Sequence, residues 1–290
     1  MPPVSSFLLQ GSTRLSFGPH PERARQDAEL LLLHLLEKDR AWLLAHSNDE
    51  IAFDRWDSFY ESLQRRCHGE PIQYILGETE FYGLPFRVTP DVLIPRPETE
   101  HLVEKAIELA ARFNRPRIVD VGTGSGAIAI ALAHTLPDAQ ITATDISPRA
   151  LIVAKENARR NGVADRIRFL PGNLLDPVAG ERFDRNDALF DIICSNPPYV
   201  AQAERASLAV EVREYEPAEA LFAGEDGLDV IRRLIPQAFA ALSPGGFIAM
   251  EIGHDQAHSV SALLAGAGFT QIEFTADLQG IPRVACAQRT

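Results

Sequence analysis

The sequence predicts an α/β protein: a doubly wound, mainly parallel seven-stranded sheet, preceded by a small N-terminal helical domain and a linking β-hairpin. Two observations carry this prediction. From residue 117 onward, short apolar and β-branched runs alternate with helical segments, which is typical of repeated βα units. The first 70 residues show helical periodicity instead, so we expect them to fold as a separate small domain.

Residues 1–70 are predicted to form the helical domain, for which substrate docking and simple stabilisation are equally good roles. Residues 1–20 have no clear hydrophobic period, so we expect a loose arm there. The apolar stripes that follow lie at helical spacing: Ala28, Leu31, Leu32, Leu35 and Leu36, then Trp42 and Leu43, then Ile51, Trp56, Phe59, Tyr60 and Leu63.

Residues 71–92 predict the β-hairpin that links the two domains. Aromatic and β-branched residues concentrate in three short stretches, 73–77, 80–82 and 84–88, which are broken by Gly77 and Gly83. Such stretches broken by glycine are typical of a hairpin.

The larger domain, residues 93–290, begins with residues 94–100, which lead into a helix that ends near Phe113. The predicted strands are 117–121, 140–145, 167–170, 190–195, 245–252, 270–275 and 283–288. The predicted helices lie near 126–136, 148–161, 228–242 and 255–267. Because no helix separates the last two strands, we expect them to form an antiparallel hairpin at the end of the sheet.

A glycine-rich loop follows the first predicted strand of this domain and consists of Gly122, Thr123, Gly124, Ser125 and Gly126. Glycines allow a tight turn here and let a ligand lie against bare backbone at a helix N-terminus. The second strand ends at Asp145-Ile146, where an acid is placed to accept both hydroxyls of a ribose. The loop also satisfies the looser dinucleotide fingerprint, so a nicotinamide-dependent dehydrogenase stays an alternative at this point.

Asp120, directly before the loop, favours a different cofactor. A carboxylate there suits a cationic ligand, whereas it would repel a pyrophosphate. S-adenosyl-L-methionine combines an amino-acid end, a ribose and a sulfonium methyl group, and it matches this set of residues. After the third strand, Asn173 and Leu174 are predicted to line its adenine pocket, the first by accepting from the adenine amino group.

The tetrad Asn196-Pro197-Pro198-Tyr199 directly follows the apolar strand 190–195. Proline cannot continue a sheet ladder, and two in a row fix an extended backbone without N–H groups. The remaining polar groups are the Asn196 side-chain oxygen and the Pro197 and Pro198 carbonyls, with the Tyr199 ring at the end. Such a row of acceptors predicts a binding site for a planar NH2 group, although a plain Pro-rich turn would show the same pattern.

The composition narrows the class of protein further. The chain has 290 residues and a net charge of −12, which argues against a dominant phosphate-binding surface, so no direct nucleic-acid binding is expected. Its three cysteines, Cys67, Cys194 and Cys286, are widely spaced, which favours reduced thiols and no metal site. No apolar run reaches membrane-spanning length and no signal peptide is visible, so we expect a cytoplasmic protein without a membrane anchor.

Together these residues resemble the release-factor glutamine methyltransferases, the PrmC or HemK family, over nearly the whole chain. The motifs that carry the resemblance are Asp27-Ala28-Glu29-Leu30-Leu31, Gln73-Tyr74-Ile75-Leu76-Gly77, Glu80-Phe81-Tyr82-Gly83, Ile94-Pro95-Arg96-Pro97-Glu98-Thr99-Glu100, Asp120 through Gly126, Asp145 and the tetrad. The Pro95–Glu100 stretch is the specific part. Two positions depart from the family pattern: Asn173, where Asp is usual, and Leu174, where an aromatic residue is frequent.

The resemblance implies a class I S-adenosylmethionine-dependent methyltransferase, a Rossmann-like fold in which residues 93–290 are the methyltransferase domain. The implied substrate is the glutamine of the Gly-Gly-Gln motif in bacterial peptide-chain release factors, methylated at N5. Asn196 Oδ1 and the Pro197 carbonyl would accept the two amide protons, and Tyr199 would pack on the amide plane. These three would therefore be the catalytic residues, with Pro198 added for substrate binding and Asn196 also touching the cofactor.

Three alternatives remain open at this stage. A glutamine methyltransferase acting on a ribosomal protein is a close relative. A DNA adenine or cytosine amino-methyltransferase would present the same planar NH2 group, but it would need a basic recognition region that this acidic chain does not show. A non-catalytic adenosylmethionine-binding partner of the translation machinery is disfavoured by the intact tetrad.

Overall fold

The computed structural model describes residues 2–52, 54–179 and 190–290. The chain forms two compact units. The helical unit consists of Met1–Glu78 and Leu208–Tyr215, and the sheet unit consists of Thr79–Ser207 and Glu216–Thr290. A short segment far along the chain therefore belongs with the N-terminal residues.

The helices and strands of the described residues are as follows. The α-helices are α1 (Val4–Leu15), α2 (Ala24–Leu36), α3 (Arg40–Ala45), α4 (Asp54–Cys67), α5 (Ile72–Leu76), α6 (Glu100–Ala110), α7 (Ala127–Thr135), α8 (Pro148–Arg160), α9 (Val210–Tyr215), α10 (Asp229–Ala241) and α11 (Ala257–Gly266). The strands are β1 (Glu78–Phe81), β2 (Leu84–Arg87), β3 (Arg117–Val121), β4 (Gln140–Asp145), β5 (Ile167–Pro171), β6 (Phe190–Ser195), β7 (Leu242–Glu251), β8 (Phe269–Ala276) and β9 (Pro282–Arg289). None of these helices is both long enough and apolar enough to cross a membrane.

The N-terminal segment is helical, so the expectation of a loose arm over residues 1–20 is wrong. Val4, Phe7 and Leu15 of α1 are buried in the core of the helical unit. Gly11 lies on the same face, where a Cβ atom would stand only 2.9 Å from the Phe59 ring. The close packing of that ring requires a glycine in the middle of the apolar stripe, and this gap concealed the period in the sequence.

The predicted linker is also shorter than expected, because residues 73–76 belong to the one-turn helix α5 rather than to an extended stretch. Gly77 ends that helix with a φ of +76°. The hairpin that follows is formed by β1 and β2 alone. Tyr82 and Gly83 at its turn both have positive φ, as a two-residue hairpin turn of the favoured hand requires.

The sheet unit contains the predicted doubly wound sheet. Its seven strands lie in the order β5-β4-β3-β6-β7-β9-β8. The five strands from β5 to β7 are parallel to their neighbours, whereas β9 is antiparallel to both β7 and β8. The antiparallel pair at one edge confirms the expected terminal hairpin.

Helices cover both faces of this sheet. Leu102 of α6 and Ile130 of α7 are buried in the core on one face, and Leu234 of α10 and Leu264 of α11 are buried on the other. The chain runs outward from β3 through β4 to β5 and then returns to place β6 on the other side of β3. Ligands of open α/β sheets bind at such a reversal, beyond the carboxyl ends of the strands. The site is therefore expected where β3 and β6 end.

Candidate active site

The three glycines of the loop between β3 and α7 have backbone φ angles that residues with a side chain rarely adopt. Gly122, Gly124 and Gly126 have φ of +73°, +55° and +86°. The backbone N–H groups of Gly122 and Thr123 both donate to the Thr144 carbonyl at 2.9 Å, which binds the loop to β4. Space beside Gly122 and Gly124 is open, so a ligand can lie directly against their backbone.

Gly126 differs from the other two glycines because it serves packing. A Cβ atom there would stand 2.9 Å from Ile130 Cδ1 and 3.2 Å from Ala154 Cβ. Gly126 thus lets α7 approach α8 closely, and it is not among the residues that line the cavity. Its direct contact with a cofactor stays a prediction.

Asp145, at the end of β4, holds the loop and lines the cavity. Its Oδ2 accepts the Gly124 N–H at 2.8 Å, and its Oδ1 accepts the Ser147 N–H at 2.8 Å. Burial raises the pKa of Asp145, while these two backbone hydrogen bonds oppose that rise. Each carboxylate oxygen has a further lone pair, so the side chain can still accept hydrogen bonds from a ligand.

Asp120 lies behind the loop and is completely buried. Its Oδ2 accepts the Thr123 hydroxyl at 2.6 Å and the Ala129 N–H at 3.2 Å, whereas its Oδ1 has no hydrogen-bond partner. Burial raises the pKa of Asp120 to about 7. The side chain therefore orders the loop from beneath, and the predicted direct attraction to a cation is not tested by this geometry.

The residues after β5 reach the same cavity. Asn173 and Leu174 both line it, as does Ile146, whose side chain is mostly exposed. Leu174 has a φ of +51°, which is unusual for a residue with a branched side chain. The Thr144 hydroxyl donates to the Leu174 carbonyl at 2.8 Å and stabilises this conformation.

The tetrad follows β6 at the same edge of the sheet, because β6 lies beside β3 with Ser195 opposite Val121. Asn196 and Pro198 line the cavity, while Pro197 is buried and Tyr199 lies outside the lining. The structure thus brings part of the tetrad to the cavity. A role for the Pro197 carbonyl and the Tyr199 ring stays a prediction.

A buried hydrogen-bond network joins the two ends of the tetrad. Asn196 Nδ2 lies 3.0 Å from Thr99 Oγ1, and the Thr99 hydroxyl donates to Glu251 Oε2 at 2.6 Å. The Tyr199 hydroxyl donates to Glu251 Oε1 at 3.1 Å. Burial raises the pKa of Glu251 and also that of Tyr199, so the phenol keeps its proton at neutral pH.

The backbone of the tetrad is held as well. Gln256 Nε2 donates to the Tyr199 carbonyl at 2.9 Å, and Gln256 Oε1 accepts the Gly253 N–H at 2.9 Å. Beyond the tetrad, the Val200 N–H donates to the Leu221 carbonyl at 2.9 Å. Side chain and backbone are therefore fixed independently at Tyr199.

The Pro95–Glu100 stretch supplies supports to the site. Arg96 forms an ion pair with the buried Glu216, which also accepts the Ile94 N–H at 3.3 Å. Glu100 accepts the Tyr82 N–H at 2.8 Å. Thr99 then reaches the tetrad directly. The segment links the hairpin, the tetrad and the region around residue 216.

The cavity at this edge has a volume of about 260 Å³. The backbone of the glycine-rich loop forms one part of the cavity lining, and Asn196 and Pro198 form another part. Glu219 and Arg233, both exposed, place one charge of each sign in the lining. No group of three His, Cys, Asp or Glu in the described ranges could hold a metal ion. The cavity thus combines exposed glycine backbone, the Asp145 carboxylate and the Asn196 side-chain amide.

Sequence reasoning missed Thr99, Glu251, Glu216 and Gln256 as parts of the site. A signal for Glu251 was present, because it follows Met250, the residue paired with Ser195 just before the tetrad. An acid at the carboxyl end of the neighbouring parallel strand must lie near the tetrad. Thr99 and Glu216 gave no such signal, since neither belongs to a strand.

Two protein-family models match this chain. The PrmC N-terminal domain matches residues 8–77, and the methyltransferase small domain matches residues 99–219. The first match lies in the helical unit. The second contains the glycine-rich loop, Asp145 and the tetrad.

Curated relatives and solved structures agree with these matches. A release factor glutamine methyltransferase from Koribacter versatilis is 45% identical over 91% of this chain and 91% of its own length. One from Deinococcus radiodurans is 41% identical over 99% of this chain and 98% of its own. Among solved structures, the catalytic domain of hMettl16 in complex with the MAT2A 3'UTR hairpin 6 is only 17% identical, yet it covers 87% of this chain and 93% of its own with a TM-score of 0.57. That likeness supports the methyltransferase fold alone, whereas the curated relatives show the family: this chain belongs to the release factor glutamine methyltransferases.

Proposed function

We propose that this protein is a cytoplasmic enzyme that methylates the glutamine side-chain nitrogen (N5) in the Gly-Gly-Gln motif of peptide-chain release factors, using S-adenosyl-L-methionine. The observation that carries the proposal is the meeting of Asn196 and Pro198 with the glycine-rich loop in one cavity. Relatives of 45% and 41% identity that bear the name of this activity support the choice of substrate.

The cavity residues fit S-adenosyl-L-methionine. The open space at Gly122 and Gly124 is a cradle that a side chain would fill. We assign Asp145 to the ribose hydroxyls, for which it has free acceptor capacity, and we assign the cavity-lining residues Asn173, Leu174 and Ile146 to the adenine. When bound, the cofactor supplies an electrophilic methyl group on a sulfonium. Burial raises the pKa of Asp120 beneath the loop to about 7, and a bound cation would favour its ionised form, so we assign Asp120 an electrostatic role towards the cofactor.

The substrate amide is proposed to bind the tetrad through its two protons. Asn196 Oδ1 accepts one proton, and a tetrad carbonyl, Pro197 in our assignment, accepts the other. Holding both protons keeps the amide planar and raises electron density on its nitrogen, while Tyr199 packs beside it. The protein thus contributes orientation and preorganised acceptor dipoles, which are large terms in catalysis.

No general base is assigned. The Tyr199 hydroxyl is engaged by Glu251 at 3.1 Å, and its raised pKa keeps it neutral. Glu251 is buried and accepts two hydrogen bonds, so it is not placed to take a proton from the substrate. An amide proton becomes acidic as its nitrogen is alkylated and can then leave to solvent.

Release factors are the proposed partners, and we assign their docking to the helical unit. No direct nucleic-acid binding is included in the proposal, because the chain is acidic. The alternatives are a ribosomal protein or DNA as the methyl acceptor and an inactive binding protein.

The test is a competition assay with radiolabelled S-adenosyl-L-methionine. The chain is offered a bacterial release factor, a ribosomal protein fraction and double-stranded DNA in equal amounts. We expect label in the release factor, and none in a release factor whose Gly-Gly-Gln glutamine is replaced by glutamate. Label chiefly in ribosomal protein or DNA would identify the corresponding alternative, and absence of label from all three would support a binding role.

A further inference from the structure

We infer that Thr99 and Glu251 are positioning residues that set which way the Asn196 amide faces; this assignment deepens the proposed function and rests on it. Asn196 can serve the reaction only if its oxygen faces the substrate amide. The Oδ1 and Nδ2 ends of an asparagine side chain are nearly equal in size, so packing alone does not determine which of them faces the substrate. Hydrogen bonding must make that choice.

The direction in which the network's hydroxyl protons are donated determines the orientation of the Asn196 amide. Burial raises the pKa of Glu251, but the Thr99 and Tyr199 hydroxyls, one on each carboxylate oxygen, favour its ionised form, which can only accept hydrogen bonds. Thr99 Oγ1 lies 2.6 Å from Glu251 Oε2, so the single hydroxyl proton of Thr99 is donated to Glu251. The Thr99 oxygen can then only accept from Asn196, and Nδ2 is the atom that faces it, at 3.0 Å. A flipped amide would set two acceptors against each other without a proton.

The same carboxylate also holds the other end of the tetrad. Glu251 Oε1 accepts the Tyr199 hydroxyl at 3.1 Å, so each of its oxygens receives one hydroxyl. Its side chain is only 2% exposed, which prevents water from replacing either donor freely. One buried carboxylate therefore fixes both the amide and the aromatic ring of the tetrad.

Protonation of Glu251 would remove this order. Protonated Glu251 could donate to Thr99, whose hydroxyl could then donate to Asn196, and the amide would be free to turn its oxygen inward. The groups that act on Glu251 are Thr99 and Tyr199 through hydrogen bonds, Glu98 through repulsion and Arg283 through attraction. We expect methyl transfer to fall at acidic pH for this reason.

The test compares two substitutions at one position. Thr99→Val keeps the shape of the side chain and removes its hydroxyl, whereas Thr99→Ser keeps the hydroxyl and removes a methyl group. We expect Thr99→Val to slow single-turnover methyl transfer by about 10-fold to 100-fold, because the Asn196 amide is no longer oriented. Thr99→Ser should restore most of the rate. The dissociation constant for S-adenosyl-L-methionine should change less than about threefold in both.

Glu251→Gln is the complementary variant, since a glutamine has one acceptor oxygen for two hydroxyl donors. It should slow methyl transfer and also remove the acidic fall in rate that the wild-type chain shows. Equal methyl-transfer rates for Thr99→Val and Thr99→Ser would overturn the assignment. So would a Glu251→Gln variant whose rate still falls at acidic pH as it does in the wild type.

A second measurement, solvent exchange of the Asn196 side-chain amide, does not depend on the identity of the substrate. The side-chain NH2 signal of Asn196 in ¹H–¹⁵N spectra is identified by its loss in Asn196→Ala. We expect it to be protected from solvent exchange in the wild type and in Thr99→Ser, and unprotected in Thr99→Val. Protection that persists in Thr99→Val would contradict the network. A wild-type chain that shows the protected signal but methylates no release factor would instead refute the proposed function.

Discussion

Asn196 is held through Nδ2, which leaves Oδ1 as its free hydrogen-bonding atom. Asp145, by contrast, uses both carboxylate oxygens on backbone N–H groups of Gly124 and Ser147. Asp120 accepts two hydrogen bonds on one oxygen and none on the other. These three side chains differ in what they leave available to a ligand, and this difference decides how a substitution at each should behave.

Replacing Asn196 by alanine should impair the reaction rather than cofactor binding. The substitution removes one preorganised acceptor from the reacting amide, and it touches neither the glycine-rich loop nor Asp145. We expect single-turnover methyl transfer at saturating cofactor to slow by roughly 10²–10³, with little change in cofactor affinity by calorimetry. A wild-type rate in Asn196→Ala would reduce this residue to a turn former.

Replacing Asp120 by asparagine should change the pH dependence of stability. The pKa of Asp120 is raised from 3.8 to about 7 on folding, so the unfolded chain ionises first as the pH rises. This residue therefore costs the folded state stability progressively between pH 3.8 and about 7, and the full cost persists above that range. Its size is on the order of 4 kcal/mol.

Asparagine can accept the Thr123 and Ala129 hydrogen bonds through its oxygen but cannot ionise. We expect the melting temperature of Asp120→Asn, relative to wild type, to rise as the pH is raised across this window. The measurement is a melting curve of each protein at about pH 4, 5.5 and 7.5, which lie near the unfolded-state pKa, between the two pKa values and above the folded-state pKa. A difference that stays constant across these pH values would show that Asp120 titrates normally.

At the scale of elements, the segment around Gly227 approaches the tetrad more closely than a side chain would allow. Gly227 has a φ of +73°, and a Cβ atom there would stand 2.2 Å from the Tyr199 carbonyl oxygen. Gln256 Nε2 donates to that same oxygen. The position of Tyr199 thus depends on a glycine in a neighbouring loop.

Gly227→Ala should therefore displace Tyr199 and slow methyl transfer by about tenfold or more. The matched control is Gly280→Ala, whose φ of +81° is similar but whose Cβ would meet nothing within 4 Å. Both variants carry the backbone strain of about 1 kcal/mol that a side chain incurs at positive φ. Should the two variants have the same rate, strain alone would explain the effect and the contact with Tyr199 would carry none of it.

The elements themselves were predicted from the sequence where periodicity is strong. Strands β3, β4 and β6 and the glycine-rich loop are local patterns, and parallel pairing brings their ends together without further information. Helix α1 was missed because Gly11 interrupts its apolar stripe where Phe59 packs. Thr99 was missed because it belongs to no strand and lies 152 residues from Glu251, its hydrogen-bond partner in the folded chain.

At the scale of the whole molecule, the helical unit has its own buried ion pairs. Arg66 is 2% exposed and contacts Asp27 Oδ2 at 2.7 Å and Glu211 Oε2 at 2.8 Å. Glu211 belongs to α9, which lies in this unit although it follows the tetrad in the chain. The helical unit therefore consists of two separate stretches of sequence, one before and one after residues Thr79–Ser207 of the sheet unit.

Arg66→Ala should destabilise the helical unit by about 3 kcal/mol, because the buried Asp27 carboxylate keeps only the more distant Arg23, at 3.6 Å, as a cationic partner. If this unit docks the substrate, methylation of release factor should fall while cofactor affinity of the sheet unit stays unchanged. Arg25→Ala is the control, since Arg25 is exposed and its pair with Glu29 should contribute little. Full methylation by Arg66→Ala, with the helical unit shown to be unfolded by proteolysis, would demote that unit to a stabilising role.

The acceptor of the methyl group is proposed to be a glutamine side-chain nitrogen. Tandem mass spectrometry of a release factor incubated with this chain and S-adenosyl-L-methionine identifies the methylated atom's residue. We predict a mass gain of one methyl group that fragment ions assign to the glutamine of the Gly-Gly-Gln motif, with no gain when Asn196→Ala is used for the same short time. A methyl group on any other residue, or an unmodified release factor under conditions in which the cofactor is bound, would contradict the proposed function.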